Sequence, residues 1–119
     1  MVSELRRKVH PRYKGIAEWK VRGIAQLKKP IEYDDPIQGH VCYDPRVLRL
    51  NSPEYSKVLW FAYWISTKKT SGKIKWGGGP PMLEEAVLLE LLKDAIAKNF
   101  FSKTFLRKLN HEIGVALIE

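Results

Sequence analysis

Residues 52–67 have the sequence SPEYSKVLWFAYWIST, and this stretch decides the fold that the sequence predicts. Ser52 is a typical helix N-cap, Pro53 suits the first helical position, and Glu54 lies in the first turn. Residues 58–65 then form an unbroken apolar run with no polar side. A helix of this kind must be surrounded by other helices. The stretch therefore predicts a buried helix inside a helical bundle.

Two more helices are expected between this stretch and the C-terminus. Residues 82–99 have a broad apolar face, with acidic side chains in the first turn and Lys98 in the last, as the helix dipole favours. Ser102 caps the last helix, whose apolar stripe includes Phe105, Leu109 and Ile113. Residues 52–119 are therefore expected to form a bundle of about three helices that acts as an assembly domain.

The N-terminal quarter of the chain holds most of its positive charge. The whole chain carries a net charge of +8, and residues 1–30, with nine basic and two acidic side chains, carry +7. Within this segment, Ile16, Trp19, Ile24 and Leu27 recur at helical spacing, and Pro30 would end the helix. Residues 1–30 are therefore expected to form a basic, helical, nucleic-acid-binding arm.

Residues 31–51 lack a helical pattern. Three prolines from Pro30 to Pro45, an acidic pair and Gly39 interrupt the segment, and only residues 40–43 and 46–50 could be short extended pieces. The segment is expected to be an irregular connector between the arm and the bundle. Taken together, the sequence predicts an all-α protein.

Several function classes lack support in the sequence. The single cysteine, Cys42, and three widely spaced histidines offer no metal-ligand spacing. The basic loop that leads to the Gly-Gly-Gly-Pro-Pro run lacks the spacing of a phosphate-binding Walker loop. No catalytic residue, metal or cofactor is therefore expected, and the protein is not expected to be an enzyme. The longest apolar run is shorter than the roughly 20 residues of a membrane span, so no transmembrane segment is expected. The single cysteine fits an intracellular protein.

Positive charge concentrated in one segment favours an anionic partner, and nucleic acid is the usual one, ahead of an anionic membrane or an acidic protein. A protein that binds through phosphates reads little sequence. The aromatic side chains of residues 58–65 are expected to form a core or a subunit interface, with Trp60, Tyr63 and Trp64 as interface residues. The basic side chains expected to bind DNA are Arg6, Arg7, Lys8, Arg12, Lys14, Lys20, Arg22, Lys28 and Lys29.

The order of these parts resembles that of the major capsid proteins of rod-shaped and filamentous archaeal viruses. Arg12-Tyr13-Lys14, which leads to Trp19-Lys20, is similar to the Arg-Tyr-x-x-Trp character of that family's N-terminal arm. Gly77-Gly78-Gly79-Pro80 is similar to the Gly-x-Gly-Pro motif with which the family's last helices begin.

This resemblance implies a structural protein of a virion. Family members form dimers of identical or related subunits, whose N-terminal helices wrap linear double-stranded DNA and hold it in the A form within a helical filament. By this resemblance, the protein would be assembled in the host cytoplasm and located in the virion. The alternative is an RNA-binding assembly subunit, such as a ribosomal protein or the small helical subunit of a CRISPR effector complex. A regulatory protein whose basic arm docks on an acidic partner also stays open.

Overall fold

The computed structural model describes residues 19–53, 55, 57–77 and 81–118. In this part of the chain, five β-strands are followed by two α-helices. The strands are β1 (Lys20–Gln26), β2 (Ile31–Asp35), β3 (Gly39–Asn51), β4 (Val58–Ser66) and β5 (Lys75–Trp76), and the helices are α1 (Glu85–Ala97) and α2 (Lys103–Ala116). The fold is therefore mixed α/β, and the expectation of an all-α protein is wrong.

The five strands form one antiparallel sheet around β3. On one side of β3, β1 pairs with residues 46–51 and β2 pairs with residues 39–43. On the other side, β4 pairs with β3 along its whole length, and β5 extends the sheet beyond β4. The longest strand of the described chain thus lies at the centre of the sheet and pairs with three of the other four strands.

Residues 58–66, which were expected to form a buried helix, are strand β4. An apolar run of this length does not distinguish a buried helix from a buried strand, and its aromatic and β-branched residues favour a strand. Trp60 and Trp64 pack with a cluster on one face of the sheet, which we call the tryptophan face, and Leu59 packs with a cluster on the other face. The run has no polar side because both sides of the strand are partly buried.

The predicted N-cap at Ser52 forms its hydrogen bond without starting a helix. The Tyr55 N–H lies 3.2 Å from Ser52 Oγ, as in a cap. The backbones of Ser52 and Tyr55 also exchange two hydrogen bonds, which closes a tight turn between β3 and β4. Local chemistry at Ser52 suits a turn as well as a cap, so it could not decide between the two.

The helix that was expected within residues 1–30, ending at Pro30, is also wrong where the structure describes it, because residues 20–26 form β1. Residues 1–18 lie outside the described residues. Gly23 allows close packing in this strand, since a Cβ there would lie 2.7 Å from the Phe100 ring. The sheet contacts of Ala25 and Leu27 thus outweigh the helical spacing of the apolar residues.

The expected connector is the middle of the sheet. Residues 40–43 and 46–50, the two pieces that could be extended, both lie in β3. Pro45 fits this strand because of where its nitrogen points. The Gly77 N–H donates to Tyr63 O at 2.8 Å, so the backbone of Tyr63 points away from β3. Pro45 is the cross-strand partner of Tyr63, so its nitrogen points to the other side of β3, at the gap between β1 and β2. No strand of the described chain lies there to accept a hydrogen bond, so the missing N–H of proline costs nothing.

Helix α1 packs on the face of the sheet opposite the tryptophan face, which we call the helix face. Leu91 and Ala95 of α1 are fully buried there, in a cluster with Ala25, Val47 and Phe100. Because the cluster joins residues from four parts of the chain, α1 is an integral part of the core.

Two side chains of α1 and that of Lys98, just after the helix, satisfy the outer edge of β1 and of the residues that follow it. Lys98 Nζ donates to Ile24 O at 2.8 Å, the Gln26 N–H donates to Asp94 at 2.9 Å, and the Lys28 N–H donates to Glu90 at 3.1 Å. Positions four apart on a helix advance by about 6 Å and positions two apart on a strand by about 6.6 Å, so the two sets stay in step. The helix thereby protects an edge that would otherwise be open to pairing.

Helix α2 begins at its predicted cap, where the Phe105 N–H donates to Ser102 Oγ at 3.1 Å. None of its described residues is buried. Residues 52–118 therefore do not form a helical bundle. The resemblance to the archaeal capsid proteins depends on a C-terminal helical bundle, and the expectation of that bundle is wrong.

Candidate functional site

A basic cleft lies at the end of the sheet where β1 begins and β3 ends. Its volume is about 250 Å³, and its lining residues are Lys20, Arg22, Asn51, Ser52 and Pro53. Lys20 is the cross-strand partner of Asn51, so their side chains lie on the same face of the sheet. The pairing of β1 with β3 thus brings together side chains that are about 30 residues apart in the sequence.

Arg22 is held in this cleft by a side-chain hydrogen bond. Its Nε donates to Asn51 Oδ1 at 3.1 Å. A register shift in β1 between Val21 and Gly23 places Arg22 at a bulge, and bulges commonly re-aim a side chain. The bond leaves both terminal nitrogens of the guanidinium and the amide nitrogen of Asn51 available as donors to an anion.

Arg49 adds a third cation beside the cleft. It lies two residues before Asn51 in β3, and hence on the same face. Its Nη1 donates to Asn99 O at 3.4 Å, and its Nε is buried without an acceptor in the described part of the chain. The cleft therefore has a positive charge that no carboxylate among the described residues neutralises.

Few of the described cations are neutralised within the chain. Among the described residues, carboxylates form ion pairs with only two Lys or Arg side chains, Arg46 with Asp44 and Lys98 with Asp94. The other described Lys and Arg side chains, including those of the cleft, have no such partner in the described part of the chain. An uncompensated excess of this kind is favourable only when an anionic partner or solvent ions are close.

The loop between β4 and β5, together with the first residue of β5, contains four more exposed lysines, Lys68, Lys69, Lys73 and Lys75. We call residues 67–75 the lysine loop. It is anchored to the β2–β3 turn, since the Lys68 N–H donates to Gln38 O at 2.8 Å. The loop is basic in sequence, but its lysines were not among the expected DNA-binding residues. Its distance from the cleft, about eight residues along β4, is roughly 26 Å at 3.3 Å per residue.

The expected DNA-binding residues are only partly brought together. Lys20 and Arg22 share the cleft, whereas Lys28 and Lys29 are exposed in the turn after β1, at the other end of that strand. Five others, Arg6, Arg7, Lys8, Arg12 and Lys14, lie outside the described residues. Sequence reasoning missed Arg49 and Asn51, because only the pairing of β1 with β3 places them beside Lys20.

The three expected interface residues lie in β4 and are half-buried in the described chain. Trp64 lies under the Arg46 guanidinium, whose carbon is 4.5 Å from the ring centroid, and Trp60 contacts Trp76 edge to face at 6.3 Å. Tyr63 is on the helix face, where its ring is 5.0 Å from that of Tyr43. Their role in a subunit interface stays a prediction.

A second concave surface, of about 480 Å³, lies on the helix face and includes Tyr33, Tyr43 and Tyr63. Burial raises the pKa of Tyr43, whose hydroxyl oxygen accepts a hydrogen bond from the Met82 N–H at 3.2 Å. The Tyr63 ring fills the space that a side chain at residue 77 would need, which explains the first glycine of the Gly-Gly-Gly-Pro motif. That glycine therefore has a packing role in this fold.

One titratable cluster lies on the β2–β3 hairpin. His40 is placed between Asp34, 3.0 Å from Nδ1, and Glu32, 3.1 Å from Nε2. These two carboxylates raise the pKa of His40, with the hydrogen bond to Asp34 as the larger cause. In the described part of the chain, no group of three or more His, Cys, Asp or Glu side chains could hold a metal ion.

Comparison of the chain with protein-family models, curated proteins and solved structures finds no match. The resemblance to archaeal capsid proteins thus gains no support from these comparisons. No helix in the described residues is both long and apolar enough to cross a membrane.

Proposed function

We propose that the protein is a non-enzymatic nucleic-acid-binding protein that contacts the phosphate backbone through the basic cleft, with double-stranded DNA as its preferred ligand. The observation that carries this proposal is that Lys20, Arg22 and Arg49 lie on one face of the sheet. None of the three forms an ion pair with a carboxylate of the described residues. Phosphate oxygens suit these groups, because charge-assisted hydrogen bonds from arginine and lysine are short and strong.

Backbone contact of this kind implies binding without sequence specificity. Lysine and arginine neutralise phosphates on any sequence, and each neutralised phosphate releases condensed counterions. The lysine loop, roughly 26 Å from the cleft along the sheet, adds four exposed cations that a duplex of one helical turn could reach. Binding is therefore expected to weaken steeply with salt.

The salt dependence tests the electrostatic part of the proposal. With about six to nine phosphate contacts in the full chain, a plot of log affinity against log salt should have a slope of about −5 to −8. Fluorescence anisotropy with two unrelated duplexes of equal length measures this slope and the sequence tolerance together. A slope shallower than about −2, or strong preference for one sequence, would contradict the proposal.

A double variant tests the cleft itself. Lys20→Ala/Arg22→Ala removes two contacts, so the slope should become shallower by about 1.8, and affinity should fall about 10- to 100-fold. Lys93→Ala/Arg107→Ala is the matched control, because it removes the same two residue types from exposed helix positions. Equal losses in both variants would show that net charge alone matters and that the cleft has no role.

The same assay decides between DNA and RNA. Structured RNA presents phosphates and 2′-hydroxyls with a different spacing, so duplex DNA and RNA hairpins can be compared at one salt concentration. Tighter binding to the hairpins, with the same loss in Lys20→Ala/Arg22→Ala, would favour the RNA-binding assembly subunit. The capsid and filament roles stay predictions of the resemblance.

A further inference from the structure

The apolar stripe of α2 lies at the surface of the described chain. Phe105, Leu109 and Ile113 are four residues apart and therefore lie along one side of the helix. Their exposed fractions are 46%, 37% and 49%, and that of Leu117, just after the helix, is 77%. Single exposed apolar residues are ordinary, but a continuous stripe of them marks an interaction surface.

The helix has little that stabilises it within its own chain. Its 14 residues are close to the length below which an isolated helix is marginal in water. The cap at Ser102 and the stacking of Phe101 on Phe105, at 5.1 Å between centroids, both act at its first turn. The rest of α2 therefore needs a partner for its apolar side.

We infer that α2 pairs antiparallel with α2 of a second copy of this chain to form a symmetric dimer. When the two-fold axis passes midway between Leu109 and Ile113, Leu109 of each copy faces Ile113 of the other. The same register places Phe105 opposite Leu117, and Leu106 opposite the small Ala116. Large side chains thus meet small ones or ones of matching length, as ridge-into-groove packing requires.

The charges beside the stripe fit this orientation. Lys108 and Glu112 lie one turn apart on one flank, yet they form no ion pair with each other, and the ion pairs among the described residues are elsewhere. In an antiparallel pair the same flanks of the two helices meet, so Lys108 of each copy comes close to Glu112 of the other. A parallel pair would bring Lys108 against the opposite flank, which carries Lys103 and Asn110.

The available area is sufficient for a weak, specific dimer. From the exposed fractions above, and about 150–250 Å² for an aromatic side chain with leucine and isoleucine in the lower part of that range, each stripe offers on the order of 400 Å². Two copies would bury roughly 800 Å², which is below the about 1,000 Å² of stable specific interfaces and in the range of weak ones. We therefore expect a dimer that dissociates in the micromolar range. This inference does not depend on the proposed function.

Sedimentation equilibrium of the full chain between about 1 and 200 µM tests the dimer. Leu109→Asp places a charge at the centre of the stripe and should leave a monomer at every concentration. Thr104→Asp is the matched control, since it adds the same charge to the exposed side of α2 away from the stripe, and it should dimerise like the parent. Near-ultraviolet circular dichroism should be unchanged in both, because no residue of α2 is buried.

A parent chain that is monomeric at 200 µM would overturn the inference, as would a Leu109→Asp variant that still dimerises.

An exchange of the charges at residues 108 and 112 then tests the orientation of the two helices. Lys108→Glu alone should weaken the dimer about tenfold, since two attractions become repulsions. Lys108→Glu/Glu112→Lys should restore it. Failure of the double variant to recover would overturn the antiparallel arrangement.

Discussion

Replacing Asp94 with alanine should lower the free energy of unfolding by about 1 kcal/mol. The Asp94 carboxylate accepts from the Gln26 N–H and from Lys98 Nζ, both at 2.9 Å. A hydrogen bond to a charged group contributes about 1.5–3 kcal/mol. With 30% of the Asp94 side chain exposed, water can replace part of that contribution. Alanine also has the better helix propensity, which offsets up to about 0.7 kcal/mol.

Urea denaturation followed by tryptophan fluorescence measures this difference. Lys93→Ala is the control, because it also introduces an alanine into α1, one position earlier. Lys93 is exposed and forms no ion pair with a described carboxylate, so the change should alter the free energy of unfolding by less than about 0.5 kcal/mol. A free energy of unfolding for Asp94→Ala within about 0.3 kcal/mol of that of the parent would refute the reasoning that α1 stabilises the edge of β1.

The effect of Asp94 should also depend on pH. Its pKa is lowered below the ordinary value of 3.8, first by the hydrogen bond from Lys98 and then by that from the Gln26 N–H. A lowered folded-state pKa means that the stabilisation is complete above the unfolded-state pKa and is lost as pH falls through the folded-state pKa. The difference between parent and Asp94→Ala should therefore shrink below about pH 3.8. A difference that stays constant down to pH 2.5 would contradict this.

Three further predictions follow from packing and charge. Gly23→Ala should cost about 1–3 kcal/mol in urea denaturation, because the new methyl group would collide with Phe100, whereas Gly114→Ala meets nothing and should add up to about 1 kcal/mol; equal effects would contradict this packing. In an NMR titration, His40 should have a pKa above 6.5 that returns to that value when its two carboxylate partners are replaced by amides. The stabilisation by His40 should be complete below pH 6.5 and lost as pH rises through the raised pKa. An unchanged pKa in the amide variant would disprove the role of the carboxylates. Trp64→Ala should lower the free energy of unfolding by about 3–5 kcal/mol if the side chain is part of the core of one chain; weaker association at unchanged stability, measured by sedimentation and melting, would instead favour the interface.

The sequence by itself determined the elements with strong local signals. Helices α1 and α2 are where the apolar spacing and the cap at Ser102 predicted them, because helix hydrogen bonds and caps join residues close together in the chain. The excess of positive charge is likewise a property of composition. It was sufficient to favour an anionic partner before any residue was placed in space.

Tertiary structure decided what residues 20–66 become. The apolar spacing around Ile24 and the run in residues 58–65 both suit a helix, and the pairing of three segments around β3 overrides that preference. A strand gains its hydrogen bonds from residues far away in the chain, so a window of local sequence cannot show whether a partner exists. In the sequence, Pro45 and the pair Asp34-Asp35 looked like interruptions of regular structure. In the fold, Pro45 lies in β3 opposite the gap between β1 and β2, and the acidic pair ends β2 just before the turn to β3.

The candidate site shows the same division. Lys20 and Arg22 were expected to bind nucleic acid because of the charge around them, and both lie in the basic cleft. Arg49 and Asn51 were missed, since about 30 residues separate them from β1 and only the antiparallel register brings the two strands together. Charge is determined by the residues present, whereas a cleft requires that the chain place those residues side by side, which only the folded sheet decides.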